Sequence, residues 1–252
     1  MSVIRLSALV VAHNEEGRLQ SCLERLAFAD EIVVVLDKCT DNSKAVAEKY
    51  TDHLLEGSWA IEGDRRNEGL RFCSGDWILE VDCDEWVPED LAQEVRRVID
   101  TSNFDWHEVP IDNYIGDRLV RYGWGGSFGT SSVPRLSRKG VKEWGRQSVH
   151  PSLIWNGAKG PRLQGYLIHH VDRNISDTIR RLDSYTTAKA RDMRASGNIG
   201  STANNVRRLF SRFFKCYVLR KGYREGGYGL LIALCAGLYP LISHLKAKLE
   251  DD

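Results

Sequence analysis

Ser7 to Ala12 is an unbroken run of mostly apolar residues that stops at the polar group His13-Asn14-Glu15-Glu16. Such a run predicts a strand. The acids after it predict a helix start, continued by Leu19, Leu23 and Leu26 at helical spacing. Residues 31–37, EIVVVLD, hold an apolar run, mostly β-branched, between two acids. They read as a strand buried on both faces, as parallel sheets require. The turn KCTDNS follows, with Asp41 and Asn42 placed to cap a helix from Ser43 to Tyr50. His53–Leu55 reads as a short third strand. Asp64 to Ser74 reads as a helix closed by Gly75. Asp76 leads into a fourth strand, WILEVDCDE, that ends in acids, and Pro88 and Glu89 start a helix reaching about Asp100.

Strand and helix alternate four times over the first hundred residues, which predicts a parallel α/β sheet with helices on both faces. Ligands of such sheets bind beyond the carboxyl ends of the strands. The clusters HNEE, LDKCTD and VDCDE each follow a strand at that edge. Residues 101–171 are irregular and rich in Trp, Gly and Arg, and predict short strands and loops. Ile175 to Arg194 predicts a helix, broken at Gly197–Ser201. No internal repeat or low-complexity tract is present.

Composition adds a polarity between the two ends. The 252 residues are 42% hydrophobic and 28% charged, ordinary globular values that exclude a disordered, collagenous or polytopic membrane chain. The net charge is zero, but residues 172–252 hold fifteen Lys and Arg against eight Asp and Glu. An acidic front therefore meets a basic back, which suggests two tasks. The six cysteines form no C-x-x-C pair and several lie in apolar runs, so they read as buried thiols in a reducing compartment. The short apolar start reads as a strand and not as a secretory leader.

The chemistry gathers at the strand ends. Asp82, Asp84 and Glu85 repel one another, and a divalent cation would relieve that repulsion; hard oxygen ligands suit Mg²⁺ or Mn²⁺. The same acids would also serve as a solvated turn before a helix. His13-Asn14-Glu15-Glu16 can hold a base or ribose, or cap a helix. Asp37 can accept from a base N–H or sugar hydroxyl, or simply turn the chain. No G-x-G-x-x-G occurs, which argues against a dinucleotide site.

The ordered set VVAHNEE, EIVVVLDKCTDNS, GDRRNEGL and GDWILEVDCDE resembles the inverting family 2 glycosyltransferases, over residues 4 to about 100. The later segments GGSFGTSSVPRLSRKG, VHP and LIHHVDRNISDTIRRLDSYTTAKA resemble the branch that builds the lipopolysaccharide core. The resemblance implies the GT-A fold: a Rossmann-like, mostly parallel central sheet with flanking helices over residues 1–171, then a helical C-terminal region over 172–252. It implies a nucleotide-sugar donor, with Asn14 and Glu15 lining the nucleotide pocket and Asp37 near the uracil. Arg66 and Asn67 would lie near the diphosphate. Asp82 would lie near the ribose or the metal, and Asp84 on an Mn²⁺ or Mg²⁺ ion. His169 is the expected later metal ligand, with His170 as the alternative. The expected reaction is inversion by an acceptor hydroxyl aided by a general base. Related sequences read V-H-E where this chain has Val149-His150-Pro151, so the base is open among His150, Glu143 and Asp112.

Val206, Leu209, Phe210, Phe213, Phe214, Tyr217 and Val218 fall on one helix face framed by Arg and Lys, with no acid from 207 to 224. That predicts either an interfacial membrane helix or a packed cover with a basic outer face. Residues 226–243 carry no charge but include Pro240, so the tail is expected to lie on the anionic inner leaflet and not to span it. No nucleic-acid motif accompanies the charge. The expectation is a cytoplasmic, peripherally bound hexosyltransferase acting from a UDP-sugar on a glycolipid or saccharide acceptor. Its rivals are a sugar-phosphate nucleotidyltransferase, or an impaired membrane-bound scaffold of the same fold.

Overall fold

The computed structural model describes residues 5–125, 128–146 and 152–250. By contact density the chain forms two compact units: Met1–Ile111 with Ser132–His169, and Asp112–Ser131 with His170–Asp252.

The first unit opens with β1 (Leu6–Ala12), α1 (Glu16–Leu23), β2 (Glu31–Asp37), α2 (Ser43–Ala47), β3 (Leu54–Gly57), α3 (Glu62–Phe72) and β4 (Trp77–Asp82). The strands run parallel in the order β3-β2-β1-β4. In register, Ala12 faces Leu36 and Val11 faces Asp82, so the three strands finish level and their polar ends share one edge. Both faces are dry. Ala8 and Val10 pack with Leu19 and Leu23, and Leu9, Val33 and Val35 pack with Leu70 and Cys73. Each face has apolar residues because each is covered, which is why these strands show no polar alternation.

Gly75 was expected to close α3. The helix ends at Phe72, and Gly75 instead lets the chain pass β1: a Cβ there would lie 2.7 Å from the Ser7 backbone nitrogen.

Past β4 come β5 (Glu85–Trp86), α4 (Glu89–Thr101), β6 (Trp106–Ile115), β7 (Arg118–Val120), β8 (Ser132–Arg138), β9 (Lys142–Trp144), β10 (Leu153–Trp155) and β11 (Leu167–Asp172). The sheet continues β4-β8-β6-β11-β5, with β4–β8, β6–β8 and β5–β11 paired antiparallel. Where short strands were expected, β6 has ten residues. Long-range pairing holds it, and a bulge between His107 and Glu108 absorbs its irregular sequence.

The second unit has its own core, in which Trp124 and Phe128 pack with Leu182, Cys216, Ile232 and Tyr239. Its helices are α5 (Ile175–Ala195), α6 (Thr202–Phe214), continued by a π-helical turn at Lys215–Leu219, and α7 (Gly227–Leu249). Asn174 caps α5 by accepting from the Asp177 amide at 3.0 Å, and Ser201 caps α6. Glu225 accepts from the backbone N–H groups of Arg121 and Tyr122 at 2.9 and 3.0 Å, which fastens the 112–131 excursion to the turn before α7. Five of the six cysteines are buried and none is bridged.

Candidate functional site

The carboxyl edge of the parallel strands is tied together loop to loop. Asn14 adopts a left-handed backbone conformation at φ 57°, one that Asn tolerates better than most residues. Its Oδ1 accepts from the backbone N–H of Thr40 at 2.7 Å. The Glu15 amide donates to Ser43 Oγ at 2.9 Å, and the Asn42 amide donates to Glu16 Oε2 at 2.9 Å. The HNEE and KCTDNS clusters are thus one structure. Asn14 builds it, while Glu15 sits at its rim facing Asp84. Burial raises the Glu15 pKa; Arg18 opposes this, and the charges of Asp84 and Asp41 add to it.

Asp37, buried at the end of β2, accepts from Arg65 Nη1 at 2.8 Å and from the Trp59 amide at 3.0 Å. Two donors already hold the carboxylate that was expected near the base.

Asp82 and Asp84 have separate surroundings. Asp82 lies between two guanidiniums: Arg66 Nη2 donates to Oδ1 at 3.0 Å, and Arg135 Nη2 donates to Oδ2. Burial alone would raise its pKa, but Arg135 and Arg66 hold it far below the ordinary carboxylate range. Arg135 also donates to Glu85 at 2.6 Å. Burial nonetheless dominates at Glu85 and raises its pKa, with Arg135 opposing and Asp82 assisting.

Asp84 faces outward. Its Oδ2 lies 3.5 Å from His169 Nε2 and 3.6 Å from Arg18 Nη1. The approach of His169 follows from strand pairing, because β11 runs antiparallel to β5 with His169 opposite Glu85. Burial would lower the His169 pKa, but the hydrogen bond and charge of Asp84, with Glu85 and Asp82 behind, raise it above its usual value.

Among the described residues, no group of three or more His, Cys, Asp or Glu side chains is placed to hold a metal. Asp84 and His169 supply two convergent ligands, a carboxylate and an imidazole. Mn²⁺ and Mg²⁺ are commonly held by one or two protein ligands and completed by substrate phosphates and water. The pair fits that use; Asp82, engaged by two arginines, does not add a third ligand.

Most of the remaining expected residues have partners of their own. Asn67 has both ends of its amide on the Trp144 backbone, donating to the oxygen and accepting from the nitrogen, each at 2.8 Å. Arg66 donates to Glu62 at 2.8 Å as well as to Asp82, and it is largely buried. Glu143 is exposed on β9 beside Asn67, Leu70, Arg71 and Lys139. Asp112 belongs to the second unit, where Arg121 donates to both of its oxygens at 3.3 and 3.2 Å. His150 lies outside the described residues. Within the second unit, His170 packs 5.5 Å from the Tyr114 ring, centroid to centroid.

Two functional candidates were missed. Arg135 had a signal: an arginine inside an apolar strand needs a carboxylate partner. Arg18, three residues past Glu15, had only the helical i, i+3 spacing that puts it on the same face.

The family described as Glycosyl transferase family 2 matches residues 7–121. A lipopolysaccharide core biosynthesis glycosyltransferase, LpsC of Rhizobium meliloti, is 25% identical over 96% of this chain and 91% of its own length. A mannosyltransferase of Pyrobaculum calidifontis, solved with GDP-Man and Mn²⁺, superposes with a TM-score of 0.54 at 12% identity, over 98% of this chain and 88% of that one. Residues 1–349 of Staphylococcus aureus TarS give a TM-score of 0.47 at 15% identity, over 75% of this chain, which spans 65% of that structure. The alternating parallel half-sheet, its polar carboxyl edge and the family match agree: residues 7–121 match glycosyl transferase family 2, and the chain is a glycosyltransferase with a GT-A fold.

Proposed function

We propose that the chain transfers a hexose, with inversion, from a UDP-sugar to a saccharide acceptor of the lipopolysaccharide-core type at the cytoplasmic face of the membrane. The full-length likeness to LpsC supports the acceptor class. One observation carries the donor side: an acidic strand end where Asp84, His169, Glu15 and Arg18 converge on one edge. Asp84 and His169 would hold a divalent ion. When bound, that ion would offset the charge developing on the departing diphosphate.

The chain's own groups have defined tasks in this reading. Arg18, partly exposed beside Asp84, offers a cation to the donor phosphates. Arg66 and Arg135 keep Asp82 ionised and fixed, so it presents a rigid acceptor to a sugar or ribose hydroxyl. Asn14 holds the two loops in register around the nucleotide. Both oxygens of Asp112 are held by Arg121, and Glu143 lies among Asn67, Arg71 and Lys139. The general base is one of His150, Glu143 and Asp112, and His150 is the first to test because imidazole is the side chain best suited to proton transfer near neutral pH. The test is product analysis with UDP-sugars, Mn²⁺ and a truncated core oligosaccharide. UDP release with an inverted anomer on the acceptor is expected. Pyrophosphate release, or no turnover with any nucleotide sugar, would refute the reading.

A further inference from the structure

The α6–α7 hairpin of the second unit has one side left exposed among the described residues. The contact line is fixed by Gly237, whose added Cβ would lie 2.8 Å from the Leu209 oxygen and 3.5 Å from Phe213 Cβ. A second tie, Thr202 Oγ1 to His244 Nε2 at 2.9 Å, makes the helices antiparallel neighbours. Successive residues turn by roughly 100°. From that contact line, Val206, Phe210 and Phe214 on α6 and Leu230, Leu234 and Leu245 on α7 rotate in the same sense. In an antiparallel pair, equal rotation leads to the same side. The exposures agree: Phe210 is 67% exposed, Phe214 52%, Leu234 44% and Leu230 42%. Two apolar stripes therefore merge into one outward face.

We propose that this two-helix face docks on an anionic lipid bilayer, with both helices lying in the membrane plane. Charge selects the occupant. No acid occurs from residue 193 to 224, a stretch that includes eight Lys and Arg. Arg207, Arg220 and Arg224 donate to neutral partners, Asn204, Cys216 and Tyr122, and no ion pair of theirs is seen among the described residues. Arg207 and Lys248 stand at one end of the hairpin, and Lys221 and Arg224 in the turn at the other, a basic rim around an apolar centre.

The geometry also decides the mode. α7 has 23 residues and is apolar enough to span a bilayer, but 56% of its most apolar window is buried inside the protein. Ile232, Cys235, Ala236 and Tyr239 belong to the second unit's core. Lys246, near its end, is tied to Asp183 and Thr187 of α5 at 2.6 Å each. The exposed Leu230, Leu234 and Leu245 meet lipid while the opposite side stays in the protein, so α7 lies on the membrane and does not cross it. This inference holds whichever sugar is transferred.

The test is co-sedimentation with phosphatidylcholine vesicles, with and without about 30% phosphatidylglycerol. The wild type is expected to bind the anionic vesicles and to be released by salt. The double variant Phe210→Ser/Leu234→Ser, changed only at exposed positions, is expected to bind at least about tenfold more weakly while keeping its helical signal and UDP affinity. Arg207→Gln/Lys221→Gln is expected to lose the preference for phosphatidylglycerol. Hydrogen exchange of the wild type is expected to slow over α6 and residues 215–226 when vesicles are added, a readout that needs no variant. Equal binding by the variants, or no binding by the wild type, would overturn the proposal. So would a solution dimer that the Phe210→Ser/Leu234→Ser change dissolves, because a second copy would then own the face.

Discussion

Asp82 and Asp84 are two positions apart, yet substitutions at them and around them should have opposite consequences. Asp84 is partly exposed and shares its edge with Glu15 and Asp82. Removing its carboxylate relieves the repulsion from Glu15 and Asp82 but gives up partly exposed contacts to Arg18 and His169, so Asp84→Ala should unfold within a few degrees of the wild type. UDP release in a transfer assay should fall by about a hundredfold, the scale for loss of a group that stabilises charge in the transition state. The Glu15 pKa should drop in the same variant, since Asp84 is one of the charges raising it, and carboxylate NMR titration would read this. Arg135 is the converse case. It is 8% exposed and joins Asp82 to Glu85. Arg135→Met leaves the buried Glu85 without its cation and Asp82 with Arg66 alone, and should cost about 3–5 kcal/mol by urea unfolding. Recovery of part of that loss in Arg135→Met/Glu85→Gln would locate the damage in the unpaired charge. Full stability in Arg135→Met alone would show that the network does not hold the strand ends.

At the scale of elements, β9 is pinned by one ion pair. Lys142 Nζ meets Glu80 Oε1, both side chains are 2% exposed, and Trp144 Nε1 donates to Glu80 Oε2 at 3.0 Å. Burial outweighs the attraction of Glu80 and pulls the Lys142 pKa down to about 8. The unfolded chain then binds more protons between about pH 8 and the ordinary lysine value near 10.4, so this group makes stability rise with pH across that window and level off below it. Urea unfolding of the wild type should therefore gain on Lys142→Met between pH 7.5 and 10; parallel curves would refute the linkage. Gly63 tests the same contact sterically. A Cβ there would lie 2.0 Å from the Gly145 oxygen, so Gly63→Ala should push the β9 segment off α3 and cost about 1–3 kcal/mol. The parallel strands were legible because burial on both faces writes itself as an apolar run, and their acids follow within a residue or two. The partner of β5 was not, because β11 lies more than eighty residues away and no local pattern encodes that register. His169 was placed beside Asp84 only by family resemblance, and Arg135 and Lys142, which meet Asp82 and Glu80, lay in a stretch with no periodicity to read.

Two compact units with separate cores give the whole molecule a divided stability. The strand-end acids, Arg18 and His169 belong to the first, and the helices with the basic stretch belong to the second. The acidic front and basic back of the sequence follow that partition closely, although the 112–131 excursion sides with the helices. Trp124 anchors the second core: it is 4% exposed, and its Nε1 donates to the Val120 oxygen at 2.6 Å. Trp124→Ala removes that bond and opens a cavity, a change costing about 3–5 kcal/mol. The loss should be regional. Amides of α6 and α7 should exchange faster by two or more orders of magnitude, which is about 3 kcal/mol of local protection. Amides of β1, β2 and β4 should keep their protection, and UDP with Mn²⁺ should bind with unchanged affinity. Adding UDP and Mn²⁺ should in turn slow exchange around Asn14, Asp37 and Asp84 without restoring α6 and α7, because a ligand stabilises only the unit whose folding its binding requires. If exchange rises equally in both units, or the ligand rescues the helices, the two cores fold as one and donor binding cannot be separated from the helical region.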